Sequence, residues 1–180
     1  MKVFLELGDA TPALGAPFRA ALGPDAAVIE QAPAIAWLPL AVNVRATHTV
    51  MAMLPAGEGE AFFRALMLQG FETPFLKPVV TLAIGLFGLD VGSFVKMVPR
   101  GWTQIFADAG APAHVDRGSR WATLDMVDLH PSLVEDDGRW ATSVAWSMGS
   151  LIAMAKTSGS VRVAKLDPPA RRFRLAFEWT

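Results

Sequence analysis

The chain has 180 residues, of which 52% are apolar and 18% charged, with a net charge of -1. That length builds one domain with a sizeable core, and the apolar surplus suits a large core, self-association or an apolar ligand cavity. There is no cysteine and no tyrosine. Disulfides, zinc–thiolate centres, iron–sulfur clusters and cysteine nucleophiles are therefore excluded, and a reducing, cytoplasmic setting is expected.

Residues 1–36 read as an N-terminal arm, rich in Ala, Pro and Gly. Val3, Leu5 and Leu7 alternate with Lys2, Phe4 and Glu6, a weak strand signal. Glu6 interrupts the short apolar run, so this is not read as a signal peptide. Thr11-Pro12 caps a short helix ending before Gly23-Pro24.

Residues 37–180 read as one α+β domain. A helix starts near Pro39, with Val42, Ala46, Val50 and Met53 on one face and Arg45 and His48 toward the other. Pro55–Gly59 breaks it. The next helix opens on Glu58 and Glu60 and carries Phe62, Phe63, Leu66, Met67, Gly70 and Phe71. Thr73-Pro74 begins a third helix, whose body Phe75–Phe87 is apolar nearly all round and is expected at the centre of the domain. Gly85 is expected at a close helix contact. Asp90 caps a short helix bearing Val91, Phe94, Val95 and Val98 and stopped by Pro99.

From Trp102 the period changes. Trp102–Phe106 and Trp121–Leu129 read as extended, with Ala122, Leu124 and Met126 facing inward. Pro131–Gly138 is an acidic connection. Trp140, Val144, Met148, Leu151, Ile152 and Ala155 then recur at helical spacing. A hairpin follows, in which Phe173, Leu175, Phe177 and Trp179 alternate with Arg172, Arg174 and Glu178. The expected fold is an N-terminal helical bundle packed on a small C-terminal antiparallel sheet, with a late crossover helix and a terminal hairpin. The uncharged runs Trp140–Ala155 and Gln31–Val44 fall short of the roughly 20 residues of a bilayer span.

Candidate chemistry is sparse. His48, His114 and His130 lie in different elements without zinc-helix spacing. The acidic group Asp125, Asp128, Glu135, Asp136 and Asp137 lacks the spacing of a calcium loop. Ser147-Met148-Gly149-Ser150 is not a nucleophile elbow, and no histidine follows His130. Arg162, Lys165, Arg171, Arg172 and Arg174 make a basic hairpin face whose default partner is neighbouring acid. Ser143, Ser147 and Ser150 form a small-residue stripe suited to close packing by another helix or chain. No catalytic residues, metal ligands or cofactor are assigned.

The element order, Phe63-Arg64, Gly70-Phe71-Glu72-Thr73 leading into the apolar helix, Gly88, Pro99-Arg100 and a last strand with Phe177 and Trp179 together resemble a myxobacterial family of proteins with no assigned activity. The resemblance spans Trp37–Thr180. That family in turn looks similar to haem nitric-oxide-binding domains, vinyl-reductase-type ligand-binding domains and TRAPP trafficking subunits. It implies a fold that holds a small ligand between helices and sheet or dimerises through its helices. The haem branch implies a Tyr-x-Ser-x-Arg element for the propionates, which a chain without tyrosine lacks; His48 is the one candidate axial ligand. The vinyl-reductase branch implies metal-binding cysteines, also absent.

The leading expectation is a non-enzymatic, regulatory binding or protein-interaction domain that forms a homodimer through its helices, with no nucleic-acid partner and no membrane span. The alternative is a sensor or carrier enclosing an apolar small molecule between helices and sheet. Its expected pocket is Phe71, Phe75, Val79, Leu82, Phe87, Trp102, Trp146 and Phe177.

Overall fold

A computed structural model describes residues 2–33, 38–74, 76–88 and 90–180. The architecture is α+β. Seven helices come first: α1 (Lys2–Ala10), α2 (Gly15–Leu22), α3 (Pro24–Gln31), α4 (Leu40–Met53), α5 (Glu58–Phe71), α6 (Lys77–Phe87) and α7 (Val91–Ile105). Strands β1 (Ala111–Arg117) and β2 (Trp121–Val127) follow, then a 3-10 turn at Pro131–Leu133, the crossover helix α8 (Arg139–Met154) and the hairpin β3 (Gly159–Asp167) and β4 (Arg172–Trp179). The four strands form one antiparallel sheet in the order β1-β2-β4-β3. Among the described residues, no helix is long and apolar enough to cross a membrane.

The sheet register follows the alternation of β4. Phe173, Leu175 and Phe177 are buried, while Arg172, Arg174 and Glu178 are exposed. A one-residue slip would bury three charges, which fixes the pairing. Opposite them on β2 stand Met126, Leu124 and Ala122, also buried. The inner face is thus wholly apolar, and α7 and α8 cover it. Trp179, expected inside with its neighbours, is only half-buried at the end of the strand.

There are two apolar clusters. One joins the inner sheet face to α7 and α8. The other lies within α1–α5 and is built on Phe4, Phe18, Ile29, Val50, Phe62 and Phe63. The N-terminal stretch is therefore three helices packed on α4 and α5, and the strand expected at Val3–Leu7 is instead α1. Phe4, Leu5 and Gly8 are the buried positions, a helical spacing that so short a run does not distinguish from alternation. Gly23 takes φ +55 between α2 and α3, and Pro24 opens α3 at a position where its missing N–H costs nothing.

Two further expectations are corrected. α7 does not stop at Pro99 but runs through it to Ile105, so Trp102 is helical and not in a strand. Val91, Phe94, Val95, Val98 and Trp102 share one helical face. The burial of that face outweighs the hydrogen bond that the proline cannot donate. α6, expected at the centre, is peripheral in its described side chains. Leu82 is 63% exposed, and a Cβ on Gly85 would meet nothing within 4 Å.

The small-residue stripe of α8 is filled from within the chain. Gly59 of α5 lies under Trp146, and the Arg64 guanidinium lies over Gly149. Ser150 is fully buried, and its Oγ has no partner. Phe62 and Phe63, whose adjacency suggested a face wide enough for a second subunit, are both buried in the α1–α5 cluster. Ser143, Ser150, Phe62 and Phe63 are thus buried within the chain itself.

Candidate functional site

Between α7, α8 and the sheet lies a packed core of aromatic rings. Trp102 lies 4.3 Å from Phe106, centroid to centroid. Trp140 meets Trp102 edge-on at 6.2 Å, Phe106 at 5.9 Å and Phe173 at 6.2 Å. Edge-to-face contacts of this kind add to area burial and fix ring orientation. Both indole donors are satisfied, Trp102 Nε1 to the Gly110 carbonyl at 3.1 Å and Trp140 Nε1 to Asn43 Oδ1 at 3.0 Å. The cluster is rigid and presents apolar ring faces and edges.

Of the expected pocket residues, the structure brings Trp102 and Phe177 into this core, with Phe71 half-buried against its edge. Trp146 points elsewhere: its ring stacks on Phe63 at 6.1 Å, beside the α1–α5 cluster. Leu82 is exposed on α6. Phe75 lies outside the described residues, as do the side chains of Val79 and Phe87. Ile84 of α6, Val98 of α7 and Phe106 are likewise half-buried against this core. Phe106, Trp140 and Phe173 are the ring partners that sequence reasoning did not group together. They come from three separate elements, and only the β4 alternation marked Phe173 as inward-facing.

The titratable groups lie outside this core. His48 Nε2 is 2.5 Å from Asp136 Oδ2. Asp136 also accepts the backbone N–H of Trp140 at 2.8 Å and of Gly138 at 3.1 Å, so it caps α8 while tying it to α4. His114 is exposed on β1, 3.4 Å from Asp116. His130 is exposed and caps the 3-10 turn through Ser132 N. None of the three imidazoles is placed among the aromatic rings. Haem iron is most often held by histidine, and no histidine faces this core. Among the described residues, no group of three or more His, Asp or Glu is placed to hold a metal ion.

The basic hairpin face is paired strand to strand. Arg174 grips Asp125 at 2.5 and 2.7 Å, Arg172 holds Asp167 at 3.1 Å, and Arg162 reaches Glu178 at 3.4 Å. The guanidinium of Arg174 holds the Asp125 carboxyl below the usual carboxylate range, and that of Arg172 does the same for Asp167. The acidic partners come from neighbouring strands rather than from Glu135–Asp137.

No protein-family model matches the chain, and no curated protein matches it. Solved structures do match its fold. The Fe(II) unliganded H-NOX protein from K. algicida is 11% identical, with a TM-score of 0.60 over 99% of this chain and 94% of that one. An H-NOX protein from S. oneidensis in the Fe(II)NO ligation state is 11% identical, with a TM-score of 0.59 over 99% of this chain and 98% of that one. A variant H-NOX of T. tengcongensis gives 11% and 0.60 over 99% and 94%. At such identity the likeness concerns the fold.

Proposed function

We propose that this chain is a sensor or carrier domain whose ligand is an apolar organic molecule, held between the helices and the inner sheet face. The observation that carries this reading is the full-length likeness to H-NOX proteins, that of S. oneidensis being in an Fe(II)NO ligation state. In this chain no histidine faces the aromatic core, and the inner face of the sheet is apolar. The same architecture would then take a ligand recognised by ring contacts and shape. The ligand would enter where Phe71, Ile84, Val98 and Phe106 lie half-buried around the aromatic core. Trp102 and Phe177 would form its floor, and Phe75, Val79 and Phe87 would contribute from the α6 side, whereas Trp146 and Leu82 would not take part. A kinship with vinyl-reductase-type and TRAPP-subunit domains is consistent with such a role. No nucleophile–base pair supports an enzyme, and the absence of cysteine favours a cytoplasmic setting.

The test is fluorescence titration with the apolar probe N-phenyl-1-naphthylamine, with native mass spectrometry of the purified protein. Saturable 1:1 binding that Phe71→Asp weakens at least tenfold is expected. Binding that is absent, or unchanged in the variant, refutes the reading.

A second reading keeps the interaction domain that dimerises through its helices. Leu82, 63% exposed on an apolar helix, favours it. Light scattering at micromolar concentration would then give twice the 19.3 kDa chain mass.

A further inference from the structure

An open groove of about 420 Å³ runs between α1 and the C-terminal end of α5, lined by Val3, Glu6, Leu68, Gln69, Glu72 and Thr73. It lies on the opposite helical cluster from the aromatic core and is independent of the ligand proposed there. Its apolar wall is Val3 and Leu68, both half-buried, and it is backed by Phe4 stacked edge-on to Phe62 at 5.9 Å.

The groove is lined by more acid than base, with Lys77 paired to one of its two carboxylates. Glu6 and Glu72 supply two exposed carboxylates. The groove also receives the negative end of the α5 dipole. That end carries no basic residue in its last turn, while Glu58 and Glu60 stand at the opposite end. The last turn tightens as well: Glu72 N–H bonds to the Gln69 carbonyl at 3.1 Å, and Thr73 N–H and Oγ1 both go to Gly70. The Leu68 carbonyl thereby loses its usual donor four residues on. The cation at hand is Lys77, paired with Glu72 at 2.9 Å, and both side chains are more than 60% exposed. Such a pair exchanges readily for an incoming cation.

The geometry points to this groove as the docking surface for a basic, amphipathic segment of another protein. Its apolar side chains would lie on Val3 and Leu68, and a Lys or Arg would reach Glu6, Glu72 and the end of α5. The groove is open along its length, as a surface for an extended or helical segment must be, and its carboxylates complement a basic one.

The test uses a fluorescein-labelled helical peptide of Leu and Lys with one apolar face, and the same peptide with Glu in place of Lys. Anisotropy in low salt should show saturable binding of the basic peptide and none of the acidic one. Replacing both carboxylates, Glu6→Gln with Glu72→Gln, should weaken binding about tenfold and flatten its salt dependence. Hydrogen exchange on the bound protein should show protection at α1 and the last turn of α5. Binding unchanged in the double variant, or protection on α6 instead, overturns the proposal. A homodimer that Val3→Asp dissociates would overturn the choice of occupant, because the groove would then be filled by a second copy.

Discussion

Replacing Gly8 with Ala pits two effects of known size against each other. Gly8 lies inside α1, where Ala is favoured over Gly by about 1 kcal/mol. A Cβ at that position, however, would fall 2.1 and 2.4 Å from two ring carbons of Phe18. Favourable carbon–carbon contacts lie at about 3.5–4.0 Å, so the overlap exceeds an ångström. Phe18 is fully buried, and its ring is held by Phe4 at 5.5 Å, which leaves it little room to yield. Overpacking of this kind costs about 1–3 kcal/mol, and here the upper end applies. The net expectation is a loss of about 2 kcal/mol, or roughly 4–8 °C in Tm for a chain of this size. Gly101→Ala in α7 is the control, since its Cβ would meet nothing within 4 Å; it should stabilise by up to about 1 kcal/mol. Urea denaturation followed by tryptophan fluorescence measures both. If Gly8→Ala is as stable as the parent chain, α1 does not pack on α2 as described, and the α1–α5 cluster loses its outer wall.

Asp136→Ala removes the cap of α8 and the link to His48 together and should cost about 2–3 kcal/mol. His48→Ala leaves both backbone bonds to Asp136 in place and should cost about 1 kcal/mol; a larger loss at His48 than at Asp136 would contradict this arrangement. The Asp125–Arg174 pair sets an acid dependence. Because the folded carboxyl is depressed by Arg174, its stabilisation is fully present above the ordinary value of about 3.9 and is lost as pH falls through the folded value. Arg174→Gln should therefore lower stability at pH 7, and lower it progressively less as pH falls through the folded value of the Asp125 carboxyl. A penalty that grows in acid would show the sign to be wrong.

What the sequence revealed follows from how strongly local pattern constrains each element. β4 was legible because charge and aromatic residues alternate without exception from Arg172 to Phe177, apart from Ala176, which is itself small and buried. α5 and α8 were legible from helical spacing and turn residues. α1 was not, because Val3, Leu5 and Leu7 satisfy both periods over so short a run. α7 was cut at Pro99 because a proline usually ends a helix, and only the burial of Trp102 shows that it continues. The candidate site was the least legible part. Phe106, Trp140 and Phe173 meet through tertiary packing, and His48 finds Asp136 across 88 positions, a pairing that no local signal encodes. The groove at the end of α5 likewise needs α1 folded back beside it.

The position of β4 between β2 and β3 has a consequence for biosynthesis. β4 is the last strand in chain order, yet β3 pairs with it alone and the β1–β2 pair joins the rest of the sheet only through it. The α1–α5 cluster can close as soon as Phe71 has left the ribosome, whereas the sheet waits until Trp179 has followed. At about 5–20 residues per second, the nascent chain spends on the order of ten seconds as a folded helical half trailing an incomplete sheet. Once β2 has emerged, and until Trp179 follows it, the edge of β2 that pairs with β4 stays open and its apolar face at Ala122, Leu124 and Met126 stays uncovered by β4, the kind of surface that recruits chaperones or other nascent chains.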